Sequence, residues 1–105
     1  MSIVISDVRA EGGKIEGDVR VTSGGEFTLG GMITGTLIVE SGGSANIGGS
    51  VGGLVVEPGG RALLGGMCTG DAFNNGGELE VGGTISGSLR GRSITRLMPG
   101  AKIGG

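Results

Sequence analysis

The sequence predicts an all-β fold, a single-stranded, three-sided parallel β-solenoid (a β-helix) of five to six coils with about 17–18 residues per coil. Three observations predict it. Glycine pairs recur at Gly12-Gly13, Gly30-Gly31, Gly48-Gly49, Gly65-Gly66, Gly82-Gly83 and Gly104-Gly105, in steps of 18, 18, 17, 17 and 22 residues. Between them apolar residues alternate in short bursts, such as Phe27 and Leu29, then Ile33, then Leu37 and Val39, and a period of two marks a strand with one buried face. Finally, Ile15, Val21, Phe27, Ile33, Val39, Ala45 and Val51 are spaced six apart, which divides a coil into three sides.

Taken in order, residues 1 to 11 form a partial first coil. Ile3 and Ile5 alternate with other residues, and Ile3 stands 18 residues before Val21, which assigns it to the Val21 ladder. Residues 12 to 22 complete that coil, with Ile15, Val19 and Val21 inward and the solvated Lys14, Glu16, Asp18 and Arg20 outward. Four repeat units follow. Stacking them puts Leu29 over Ile47, Leu64 and Val81, puts Ile33 over Val51, Cys68 and Ile85, and puts Val39 over Val56 and Phe73. Cys68 is therefore a core residue. Asp71 falls in the Leu54 ladder, and because an unpaired buried carboxylate is costly, the chain is expected to slip so that Ala72 replaces it.

The 28 glycines fall mostly in pairs between the apolar bursts, with Gly17, Gly35, Gly53, Gly70 and Gly87 marking one further position per coil. They are read as corners where the chain bends sharply or takes a positive φ. A glycine-rich linker would carry no apolar ladder in fixed register, and collagen would place glycine at every third position. The chain is read as one domain over residues 1–105. Coils spaced by about 4.8 Å then make a rod of about 25 Å.

After Leu89 the step between glycine pairs grows from 17 to 22, so about five inserted residues are expected, as a loop at Arg90, Gly91, Arg92 and Ser93. Ile94 or Leu97 then resumes the third side, and Pro99-Gly100 turns into a last strand with Ala101 and Ile103. Charge singles out the same segment. Residues 1 to 89 hold ten acids and four bases, a sum of −6, whereas residues 90 to 105 hold Arg90, Arg92, Arg96 and Lys102 with no acid, a sum of +4. Such a dipole favours head-to-tail contact or an acidic partner. Four cations without an aromatic platform make a poor phosphate surface, so no nucleic acid is expected.

The residue inventory argues against an enzyme. The chain has no histidine, tyrosine or tryptophan and one cysteine, so catalytic, cofactor and metal sites lack their usual bases and ligands. Glu78 and Glu80 lie two apart on one outward face with no cleft between them. No apolar run of 18 residues predicts a transmembrane segment. The start MSIVISDVRAE lacks the apolar core of a secretory signal, and one cysteine makes no internal disulfide. A cytoplasmic protein is the resulting expectation.

The segments GKIEGDVRV (13–21), GMITGTLIV (31–39) and GTISGSL (83–89) follow a G-x-I-x-G-x-L-x-V pattern. The pattern resembles that of the bactofilins, bacterial polymer-forming cytoskeletal proteins with a triangular β-helical core, and the resemblance spans residues 12 to 103. The doubled glycines are denser than in that family and look more like the passenger repeats of secreted autotransporter adhesins. The bactofilin resemblance implies a self-assembling scaffold.

The physics of a solenoid points the same way, because its ends leave unpaired strand edges and an apolar cross-section. The expected function is a non-enzymatic scaffold that forms a homo-oligomer end to end. Ile3 and Ile5 would serve at one end, and Arg90, Arg92, Arg96, Leu97, Met98, Lys102 and Ile103 at the other. The alternative is a protein-binding module, such as an immunity protein that covers a toxin's active site.

Overall fold

The structure, a computed structural model, describes residues 2–91 and 95–104. Its strands in chain order are β1 (Ser2–Ile5), β2 (Val8–Glu11), β3 (Lys14–Ile15), β4 (Asp18–Val21), β5 (Glu26–Leu29), β6 (Met32–Val39), β7 (Ser44–Ile47) and β8 (Ser50–Val56). Then follow β9 (Arg61–Leu64), β10 (Met67–Cys68), β11 (Ala72–Asn74), β12 (Glu78–Val81), β13 (Thr84–Ile85), β14 (Leu89–Arg90), β15 (Thr95–Leu97) and β16 (Lys102–Ile103). Every pairing among them is parallel, between one coil and the next. The result is the predicted solenoid, with extents of 29 × 26 × 21 Å.

The three sides are distinct. β2, β5, β7, β9, β12 and β15 form the first side as one six-stranded sheet. A ten-stranded sheet wraps the other two sides. On the second side lie β3, β10, β13, β16 and the leading halves of β6 and β8. On the third lie β1, β4, β11, β14 and the trailing halves of β6 and β8. Along each strand one residue faces in and the next faces out, as in β4 and β5, where exposed and buried residues alternate.

Two of the three predicted ladders form in full. Leu29, Ile47, Leu64 and Val81 stack in register, as do Ile33, Val51, Cys68 and Ile85, and all eight are essentially fully buried. Burying one such side chain contributes roughly 1.5–3 kcal/mol. With two phenylalanines as the only aromatics, these aliphatic stacks and the backbone ladder carry the fold.

The corners divide the glycines into two kinds, where the sequence suggested one. Between the third and first sides the leading glycine of each pair takes a positive φ, 82° at Gly42 and 83° at Gly59, which L side chains resist. At the glycine pairs between the first and second sides, such as Gly48-Gly49 and Gly65-Gly66, φ stays ordinary and the requirement is space, whereas Gly100 at the last such corner has a φ of 93°. A Cβ on Gly49 would collide with the backbone carbonyl of Gly31, and one on Gly66 with that of Gly49. Glycine stacks on glycine there because adjacent coils touch backbone to backbone.

Register is set at the corner between the second and third sides, and there one ladder differs from expectation. In the third coil Val51 and Leu54 are separated by Gly52 and Gly53, whereas in the fourth Cys68 and Ala72 are separated by Thr69, Gly70 and Asp71. Three is the length in the first, second and fifth coils too, so the third coil is the short one, and the residue regained in the fourth lets Asp71 turn out and Ala72 stack on Leu54, as expected. It also turns Phe73 outward, 38% exposed and beside Val55, so Phe73 does not continue the Val39–Val56 ladder. Asn74 takes that inward place.

Buried Asn74 is well satisfied. Its Nδ2 donates to Thr95 Oγ1 at 3.0 Å, and its Oδ1 accepts from the Gly76 and Gly77 N–H groups at 3.2 and 2.9 Å. The Thr95 hydroxyl donates in turn to the Gly91 carbonyl at 2.8 Å.

Two further expectations are corrected at the termini. Ile3 pairs with Val19, and Ile5 takes the Val21 ladder, because the corner Ser6-Asp7 is two residues shorter than Thr22–Gly25 below it. At the other end no five-residue loop is inserted. Arg90 lies in β14 beside Phe73, and Thr95 follows Arg90 by five residues where its partner Leu79 follows Phe73 by six. Leu97 resumes the first side, not the third, by stacking on Val81. The extra length lies at Met98–Ala101, which takes the place of Gly82-Gly83. Pro99-Gly100 does turn into the last strand, and Gly104 follows Ile103 as Ser86 follows Ile85, so it is not the repeat's corner glycine. Arg92, Ser93 and Ile94 lie outside the described residues.

Candidate association surfaces at the two ends

Each end of the solenoid presents three strands, one per side. At the N-terminal end these are β1, β2 and β3, and at the C-terminal end β14, β15 and β16. Among the described residues no strand pairs with the outer edge of any of the six. The predicted residues therefore form two separate groups. Ile3 and Ile5 share the N-terminal end, while Arg90, Arg96, Leu97, Met98, Lys102 and Ile103 share the C-terminal end, about the length of the stack away.

At the N-terminal end, Ile5 and Ile15 are buried and Ile3 packs partly buried against the core. β2 departs from the pattern of the other first-side strands. Arg9 stands in register with buried Phe27 and Glu11 with buried Leu29, so two charged residues occupy inward ladder positions. The apolar Val8, 77% exposed, and Ala10 take the outward positions. Arg9 is exposed, and Glu11 is half-buried with its Oε1 accepting from the Gly13 N–H at 3.2 Å. Charges turned inward at the end of a sheet are a known means of blunting an edge.

At the C-terminal end the inward positions hold Leu89, Thr95, Leu97 and Ile103. Leu89 is buried, Ile103 is partly buried, and Leu97 and its neighbour Met98 are 42% and 40% exposed. The three described cations here, Arg90, Arg96 and Lys102, point outward. Arg90 and Lys102 are exposed, beside Phe73 and Thr84 respectively, and Arg96 pairs with Glu80 at 3.2 Å. That pair is solvent-exposed and contributes little to stability. The cation cluster read from the sequence is thus a rim around an apolar end.

The remaining candidate, Cys68, lies fully buried in its ladder. Burial pushes its thiol pKa above the ordinary value, opposed by a backbone hydrogen bond from Gly70, so it is a packed core residue and a poor nucleophile. A shallow groove on the outer face of the first side is lined by Glu26, Arg61, Leu63, Glu78 and Arg96 among others. Within it Arg61 pairs with Glu78 at 2.8 Å and Arg96 with Glu80.

Sequence reasoning missed Arg9 and Glu11, although the 18-residue step places them over Phe27 and Leu29 directly. Attention to net charge hides them, because one cancels the other. No helix among the described residues is long and apolar enough to cross a membrane. A scan against protein-family models, a search of curated proteins and a search of solved structures each find no match to this chain.

Proposed function

We propose that the protein is a non-enzymatic scaffold of the cytoplasm that joins to itself through the ends of its solenoid, in the manner the bactofilin resemblance implies. One observation carries this reading: each end presents three strand edges, one per side, that no described strand pairs, beside incompletely buried apolar residues, Ile3 at one end and Leu97 and Ile103 at the other. An unpaired edge in register is a template for another strand, and an end that repeats the section of the stack fits a second copy. The lack of histidine and tyrosine supports the non-enzymatic part.

A second reading, binding of a different protein along a side, draws on the third side. There Val55 and exposed Phe73 stand side by side between the outward carboxylates of Asp71 and Glu57. Light scattering coupled to size exclusion, run over a concentration series at low and high salt, separates the two. End joining gives a mass that rises with concentration from one chain to at least two. A monomer mass at every concentration overturns the scaffold and leaves the side-binding module.

A further inference from the structure

The two ends differ in the charges a second copy would meet, and that difference selects among the three ways of joining them. In a head-to-tail stack the parallel ladders continue. Lys102 ends the outward column that begins at Lys14 and runs through Met32, Ser50, Met67 and Thr84, so Lys102 of one copy would stand next to Lys14 of the other. The same stack would cover the Glu11 carboxylate with Leu97, removing a charge from water without a partner.

A C-terminal to C-terminal contact fares no better. A two-fold axis through the middle of β15 sets Arg96 against Arg96 of the second copy and lays β16 beside β14, bringing Lys102 toward Arg90. Like charges directly across a strand pair destabilise it.

The N-terminal to N-terminal contact is self-complementary. A two-fold axis at Ala10, within β2, makes the two β2 strands antiparallel and places residue 9 of one copy opposite residue 11 of the other, inward position against inward position. Arg9 then faces Glu11 of the second copy, and Glu11 faces its Arg9. The same axis lays β3 beside β1, so that Ile15 meets Ile3 and Ile5 of the second copy. Opposite pairs in a strand ladder have Cβ atoms about 4.5–5.5 Å apart, within reach of an Arg–Glu pair.

We propose that two copies join N-terminal end to N-terminal end about a two-fold axis at Ala10, with register fixed by two reciprocal Arg9–Glu11 ion pairs, and that assembly stops at this dimer. The proposal rests on the end-joining reading and specifies which end is used. The charges that blunt β2 against a continuing coil become the contacts that specify an inverted one, and the cationic rim at the C-terminal end keeps that end from pairing.

Two measurements on the full chain test it. Ala10→Cys places a thiol on the axis, where Cα atoms of facing residues lie about 4.5–5.5 Å apart, within disulfide range; buried Cys68 does not compete. Mild oxidation is expected to give a reductant-sensitive covalent dimer. Sedimentation equilibrium is then run on Arg9→Glu, Glu11→Arg and the double variant. Each single reversal is expected to raise the dimer dissociation constant about tenfold or more, and the double variant to return it to within about threefold of the original. Association that grows past two copies overturns the closed dimer, and introduced thiols that stay uncoupled with no rescue in the double variant overturn the N-terminal contact; both outcomes retain end joining. A chain that stays monomeric at every concentration overturns the contact and end joining alike.

Discussion

The third coil and the fourth pass through the same two sides of the solenoid and solve them differently. β8 runs unbroken from Ser50 to Val56 through Gly52-Gly53, and its Leu54 and Val56 both face the core. The fourth coil breaks at Thr69–Asp71 between β10 and β11, turns its phenylalanine out and brings an asparagine in. The contrast teaches that corner length, not the overall period, decides which residue enters a ladder. One residue at a corner shifts every following side chain to the opposite face.

Leu54→Ala is the strongest way to break the third coil. Leu54 is fully buried between Leu37 and the small Ala72, so the site has little with which to close the gap, and urea unfolding should show a loss of about 3 kcal/mol. In the fourth coil the corresponding probe is Asn74→Ala. It removes the acceptor of two backbone N–H groups and the donor to Thr95, at an expected cost of about 1–2 kcal/mol. Hydrogen exchange should rise first at Gly76, Gly77 and in β15, because those are the groups Asn74 holds.

The smallest effect sharpens the comparison most. Phe73→Ser should change stability by no more than about 0.5 kcal/mol, since the ring lies outside the core. If Phe73 stood in the Val56 ladder, the same change would remove about 3 kcal/mol or more. Thermal melts of the two variants at positions 73 and 74 therefore decide the register of β11.

Most of the core was legible because a solenoid repeats its environment. Leu29, Ile47, Leu64 and Val81 occupy equal places in successive coils and are equally apolar, so the period alone aligns them. The step of 22 residues misled for the same reason: Gly104-Gly105 was aligned with the repeat's glycine pair, when Pro99-Gly100 makes that corner. The candidate site was legible in composition only. The cations at positions 90, 96 and 102 were visible, but their outward rim and the inward placement of Arg9 and Glu11 depend on strand pairing.

The sequence by itself determined the all-β class, the three sides and the identity of the main ladders, because alternation by two and a coil of 17–18 residues admit few other ways to bury these side chains. Only the tertiary structure decided the rest: the outward Phe73, the inward Asn74, the first-coil pairing of Ile3 with Val19, and the charged edge of β2. The physical reason is that backbone hydrogen bonding between coils fixes register at each side separately, while the sequence records only the total length between repeats.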